Sequence, residues 1–286
     1  MINIKNLQVS YGKNIVLNIG TEVKIDDSDI VGVIGSNGAG KTTLINACLG
    51  LVPYKGKIDF SVPRSDIAVH LQENHYMGTV NVKNVLKGLL GVTPGKDAKL
   101  DELVDYFDFK TCLSKKYSEL SGGQQQRLTL IMVLYKDAPI TFFDEVTTGL
   151  DFETRQQLME KISNWYANKD ASVLMVTHYY DEIERLANKL LILDKGRLVK
   201  YGKIDDLFAE YIGYSAVIVS GLKDSDFKDF NVIVAPENKV AVRCDSPEDE
   251  KRIYDYLLQK QANFERTNRD IELIYLNVLA SEKAGV

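Results

Sequence analysis

Asp29-Ile30-Val31-Gly32-Val33-Ile34, followed directly by Gly35-Ser36-Asn37-Gly38-Ala39-Gly40-Lys41-Thr42, is the stretch that decides the architecture. The first six residues are almost continuously apolar, as expected of a strand covered on both sheet faces. The next eight fit the pattern G-x-x-x-x-G-K-[ST] in full. Glycines let backbone N–H groups turn inward around phosphate oxygens, and a helix behind the loop presents its positive end to them. Leu44, Ile45, Cys48 and Leu49 supply that helix, which Gly50 and Pro53 end. Lys41 can then reach the β- and γ-phosphates of a nucleotide, and the Thr42 hydroxyl can ligate Mg²⁺. Gly35 to Thr43 is therefore read as the phosphate cradle.

Working outward, short strands are expected at Ile2-Asn3-Ile4, Leu7-Gln8-Val9 and Ile15-Val16-Leu17. Residues from about 83 to 135 carry helical patterns. Buried-type strands follow at Ile140–Phe143 and Ser172–Val176, separated by a helix around 152–167, and a further helix is expected at about 180–188. Leu190–Leu193 and Arg197–Val199 bracket Asp194-Lys195-Gly196, a hairpin turn. Strands alternating with helices indicate an α/β fold with a largely parallel sheet. The pattern changes near Tyr214. Three short strands (Ala216–Val219, Val232–Val234, Val240–Val242), a helix capped by Ser246-Pro247 and a last helix after Asp270 make a small α+β domain over 214–286.

Phe142-Phe143-Asp144-Glu145 ends an apolar strand with two carboxylates. The carboxyl ends of parallel strands face the ligand crevice, so both acids should approach the phosphates. Successive strand residues point oppositely, so their tasks should differ: Asp144 toward Mg²⁺ through water, Glu145 toward the attacking water. Leu120-Ser121-Gly122-Gly123-Gln124 precedes a helical run and makes a second anion-attracting helix start. Alone, Ser-Gly-Gly would read as an ordinary capped surface helix.

Leu-Ser-Gly-Gly-Gln between the glycine loop and the acid pair resembles the signature of the ATP-binding cassette (ABC) ATPases, over about residues 1–205. The resemblance implies a P-loop NTPase core of ABC type over 1–210: a mixed sheet with a parallel core, an antiparallel β subdomain and a helical subdomain. It also implies roles for single residues. Tyr11 matches the aromatic residue that stacks on adenine, and Gln72 the glutamine that senses Mg²⁺ near a membrane partner. Asp151, in Thr148-Gly149-Leu150-Asp151, belongs to the segment facing the opposite subunit, and His178 matches the histidine that meets the γ-phosphate. His70 and His75 receive no role. Val146 departs from the family, which usually has proline there; this is read as altered loop rigidity.

The implied function is ATP hydrolysis, with ATP and Mg²⁺, in a subunit that pairs with a second cassette of its own or another kind. Ser121, Gly122, Gly123 and Gln124 of one would cap ATP held by the other. No apolar run among the 286 residues is long enough to span a bilayer, so a separate transmembrane permease is implied, with this chain on the cytoplasmic face of the membrane. The C-terminal domain is similar to the tail of bacterial drug, antibiotic and polysaccharide exporter subunits, which favours an exporter over an importer. A soluble family member is disfavoured because the translation-associated members usually carry two cassettes in one chain and the DNA-repair members long insertions. A net charge of −5 does not favour nucleic acid as a partner. Three scattered cysteines, Cys48, Cys112 and Cys244, are read as reduced thiols.

Overall fold

The computed structural model describes residues 1–71, 76 and 78–284. Its first half runs β1 (Ile2–Tyr11), β2 (Asn14–Ile19), β3 (Val23–Ile25), β4 (Ile30–Gly35), α1 (Lys41–Leu49), β5 (Tyr54–Phe60) and β6 (Ile67–His70). Next come α2 (Val82–Leu90), α3 (Ala98–Tyr106), α4 (Gly122–Tyr135), β7 (Ile140–Asp144), α5 (Phe152–Tyr166) and β8 (Ser172–Val176). They are followed by α6 (Tyr180–Leu186), β9 (Lys189–Asp194), β10 (Arg197–Lys203) and α7 (Ile204–Tyr211). The remainder is β11 (Ser215–Ser220), β12 (Asn231–Ile233), β13 (Lys239–Cys244), α8 (Pro247–Lys260), β14 (Asn263–Thr267) and α9 (Ile271–Ala284).

The order β9-β4-β8-β7-β6 is parallel throughout and forms the centre of the large sheet. β10 returns antiparallel beside β9. Its two-residue turn has Lys195 and Gly196 at φ 46° and 76°, the left-handed pair that matches strand twist. β1, β2, β3 and β5 make an antiparallel flank. The two strands expected at the N-terminus are one, β1, whose pairing with β5 shifts register between Lys5 and Gln8, with Asn6 at φ 49°.

Period-two alternation sends the central strands into two separate cores. From β8, Val173 and Met175 join the core under the helical segment, whereas Leu174 and Val176 join the core around α1 and the antiparallel flank. β7 divides likewise, Phe143 to the first and Ile140 and Phe142 to the second. Such strands read as unbroken apolar runs because both faces are covered.

The C-terminal sheet has the order β12-β13-β11-β14, all antiparallel. Val217 and Val219 of β11 pack with Ile253 and Leu257 of α8, while Ala216 and Ile218 face the other way. There they share a core with Ile271, Ile274 and Val278 of α9 and with Ile183, Ile204, Leu207 and Phe208 of α6 and α7. One face of this small sheet is thus covered together with the helices of the larger sheet. Ending the chain at Ile212 should expose Ile204, Leu207 and Phe208. Losing even about 3 kcal/mol of burial lowers Tm by roughly 6–12 °C in a unit of this size. Thermal unfolding of the shortened chain checks this, and an unchanged Tm would contradict the shared core.

Candidate functional site

The phosphate loop is shaped by backbone before side chains. Gly40 stands at φ 99° as the residue capping α1, a conformation costly for any residue with a Cβ. It turns the first free N–H groups of α1 toward a cleft of about 300 Å³, lined by Tyr11, Val16, Asn37 to Thr43, Glu145 and His178. Gly35 and Ser36 stand at the cleft's edge through Lys41, whose ammonium donates to their carbonyls at 2.7 and 3.1 Å. Lys41 is buried. Desolvation pushes its amine down, and the nearby carboxylates of Glu145 and Asp144 oppose that shift. Tyr11 is half exposed and lines the cleft.

Asp144 is the last residue of β7 and is 1% exposed. Burial raises its carboxyl pKa, while the Thr42 hydroxyl, donating at 3.5 Å, lowers it. Glu145 is not a strand residue. It sits at φ 52°, with its N–H on the Val176 carbonyl at 2.9 Å, so the separation of the two acids comes from this backbone turn and not from strand alternation. The His178 ring Nε2 lies 2.7 Å from Glu145 Oε1, and the Thr148 hydroxyl donates to Oε2 at 3.1 Å. Val146 is 1% exposed and belongs to the core that contains Phe143 and Leu158, so its side chain is a packing element of this loop.

Ser121, Gly122, Gly123 and Gln124 line a different cleft of about 330 Å³, with Arg127, Asp151 and Thr154. Ser121 caps α4: its hydroxyl accepts from the Gln124 N–H, and the Gln124 side chain accepts from the Ser121 N–H. Asp151 caps α5 and accepts from the Thr154 N–H at 3.0 Å, which with the Thr154 hydroxyl holds its carboxyl below the usual range. One chain therefore gathers Tyr11, Gly35 to Thr43, Asp144, Glu145 and His178 about one cleft, and Ser121 to Gln124 with Asp151 about a second. The two clefts share no lining residue. Gln72 and His75 lie outside the described residues. His70 is fully buried, and desolvation pulls its imidazole down to about 4, leaving it neutral.

Sequence reading missed three members of the surroundings: Val16, which lines the phosphate cleft, and Thr147 and Thr177, whose hydroxyls bond a buried carboxylate on α6. No local pattern marks them, because their partners lie on other segments.

A family model described as ABC transporter matches residues 20–148. The phosphonates import ATP-binding protein PhnC 2 of a Nostoc species is 32% identical over 236 residues, covering 74% of this chain and 97% of that protein. The chain belongs to the ABC transporter family. Nod factor export ATP-binding protein I of Burkholderia orbicola is 29% identical over 242 residues, covering 80% of this chain and 79% of that protein. A solved ATP-binding subunit of an ABC transporter, 24% identical, superposes with a TM-score of 0.65 over 74% of this chain and 93% of that one. As an ABC ATPase subunit this chain binds and hydrolyses ATP, and such subunits dimerise and work with transmembrane permease components. No helix among the described residues is long and apolar enough to cross a membrane.

Proposed function

We propose that this ABC subunit powers a separate membrane permease by ATP-driven closure of two cassettes, and that transport runs outward. The separation of the two clefts carries the first part: each holds half of a nucleotide site, and a second subunit facing head to tail would complete both. Residues 1–210 are taken as the cassette and 214–286 as an appended unit. Attachment to the cytoplasmic face of the membrane would follow from the permease.

In this reading the N–H groups of Gly38, Gly40 and Lys41 hold phosphate oxygens, with Ser36, Asn37, Ala39 and Thr43 completing the loop, and the Lys41 ammonium leaves its two carbonyls for the terminal phosphates. Tyr11 stacks on the base. The Thr42 hydroxyl and the buried Asp144 carboxylate suit Mg²⁺, which takes one or two protein oxygens and completes its shell with phosphate and water. When bound, the ion neutralises phosphate charge; Gln72 is proposed to sense it. Glu145 accepts the proton of the attacking water while His178 fixes that carboxylate and meets the γ-phosphate. The partner's Ser121, Gly122, Gly123 and Gln124 close over the phosphates, and Asp151 lines the subunit interface.

Export is supported by the C-terminal unit and by the alignment to the Nod factor export protein, which extends over 80% of the chain against 74% for the phosphonate import protein. Import is the second reading, favoured by the higher identity of that phosphonate protein, 32% against 29%. Capture of the partner from solubilised membranes, then ATP-driven flux in inverted vesicles, separates them. Accumulation inside inverted vesicles is expected; flux that requires a solute-binding protein outside the membrane would overturn export.

A further inference from the structure

α6 starts two residues after His178 and lies tight against the sheet. A Cβ on Gly32 of β4 would come within 2.7 Å of the Ile183 side chain, so glycine there is what allows this approach. Burying Ile183 turns its neighbour Glu182 inward as well, and Glu182 is 2% exposed. Its two carboxylate oxygens take separate partners. Oε1 accepts from the Thr147 hydroxyl at 2.5 Å, and Oε2 from the Thr177 hydroxyl at 2.6 Å. Donors this close are typical of a charged acceptor. Burial raises the Glu182 carboxyl pKa, and both threonines and Arg155 oppose that rise.

The two hydroxyls belong to the two loops that carry the Glu145–His178 contact. Thr147 follows Glu145 by two residues, and Thr177 immediately precedes His178. Those loops leave the carboxyl ends of β7 and β8, whose ladder ends at Asp144 and Val176, with the Glu145 N–H adding one more bond to the Val176 carbonyl. Beyond that point no sheet bond holds them, and Glu182 bridges them instead. The Thr177 hydroxyl also accepts from the Tyr179 N–H at 3.1 Å, which fixes the turn around His178. Arg155 of α5, the helix that Asp151 caps, completes the surroundings: its guanidinium is 3.9 Å from Glu182, 3.2 Å from Asp181 and 3.9 Å from the Tyr179 ring centre.

We propose that Glu182 is a positioning residue for hydrolysis, holding the Glu145 loop and the His178 loop in register through Thr147 and Thr177. It rests on the assignment of Glu145 and His178 to hydrolysis. Glu182 reaches neither nucleotide nor water in this scheme; it sets where the base and its histidine stand when water is attacked. A displacement near 1 Å at such a site costs on the order of 100-fold in rate.

The test compares Glu182→Ala, Glu182→Gln, Thr147→Val and Thr177→Val in the full chain, by ATPase kcat and KM and by ATP titration. Glu182→Ala should lose roughly 10- to 100-fold in kcat while ATP affinity stays near that of the parent. Glu182→Gln should recover most of the rate, because the amide keeps one acceptor and offers a donor to the second hydroxyl. Adding Thr147→Val to Glu182→Ala should cost little more, since both remove the same bond, the one hydrogen bond that the Thr147 hydroxyl makes among the described residues being to Glu182. An unchanged kcat in Glu182→Ala, equal losses in the alanine and glutamine variants, or a fall in affinity that matches the fall in rate would each overturn the proposal. Should the alanine variant fail to fold, unchanged kcat in both valine variants overturns it as well. Glu145→Gln and His178→Ala run alongside. Full turnover in those two defeats the assignment beneath the proposal, whereas their loss of turnover with a fully active Glu182→Ala defeats Glu182 alone.

Discussion

Glu145→Gln is expected to slow ATP hydrolysis by about 10²–10⁴-fold, the usual contribution of a positioned base, while ATP still binds. The amide is the same size as the carboxylate and can still accept one of the hydrogen bonds from His178 and Thr148. It cannot take a proton from water at neutral pH. The backbone is untouched, since Glu145 already occupies a left-handed conformation at φ 52°, held by its N–H on Val176, and glutamine meets the same cost there. The loop from Gly35 to Thr43, proposed to hold the phosphates, is left alone by the substitution. ATP that binds without being cleaved should keep two subunits closed, so a dimer should appear with ATP and Mg²⁺ on size-exclusion chromatography. Undiminished turnover in single-turnover kinetics would assign the base elsewhere.

The parts of this site that lay open in the sequence are those written in consecutive residues. The loop from Gly35 to Thr42 takes its shape from its own consecutive residues, so order along the chain is enough to recognise it, and the apolar strands β4, β7 and β8 stand out because both faces are covered. What depends on contacts between distant segments did not show. Glu182 meets Thr147 across 35 residues, and a lone glutamate on a short helix carries no sign of that. β14, Asn263–Thr267, has Phe264 as its only apolar residue and lies at a sheet edge, so it was missed and the tail was read with three strands in place of four. The apolar residues of α9 announced a buried helix, but not that it shares its core with α6 and α7. Glu145 shows a subtler limit. Alternation gave the two acids different directions for the wrong reason, since the strand ends at Asp144 and the chain then turns left-handed.

Lys41→Ala should act one step earlier than Glu145→Gln, on binding. Lys41 is 6% exposed and donates to the Gly35 and Ser36 carbonyls, with Asp144 and Glu145 as its nearest anionic company. A nucleotide exchanges those neutral acceptors for anionic phosphate oxygens, and hydrogen bonds to charged groups are worth about 1.5–3 kcal/mol. Losing one such contact weakens binding by roughly 10- to 150-fold. Alanine also removes the positive charge that offsets the nearby Asp144 and Glu145 carboxylates, so a triphosphate would meet uncompensated repulsion. The two effects add, and ATP affinity should fall by at least about 100-fold, with turnover undetectable at ordinary ATP concentrations. Lys41→Arg separates charge from fit, because guanidinium keeps the charge but replaces a compact ammonium with a planar fork. Calorimetric titration of both variants with ATP checks the result. An unchanged Kd in the alanine variant would mean that backbone N–H groups and helix α1 carry the phosphates without this side chain.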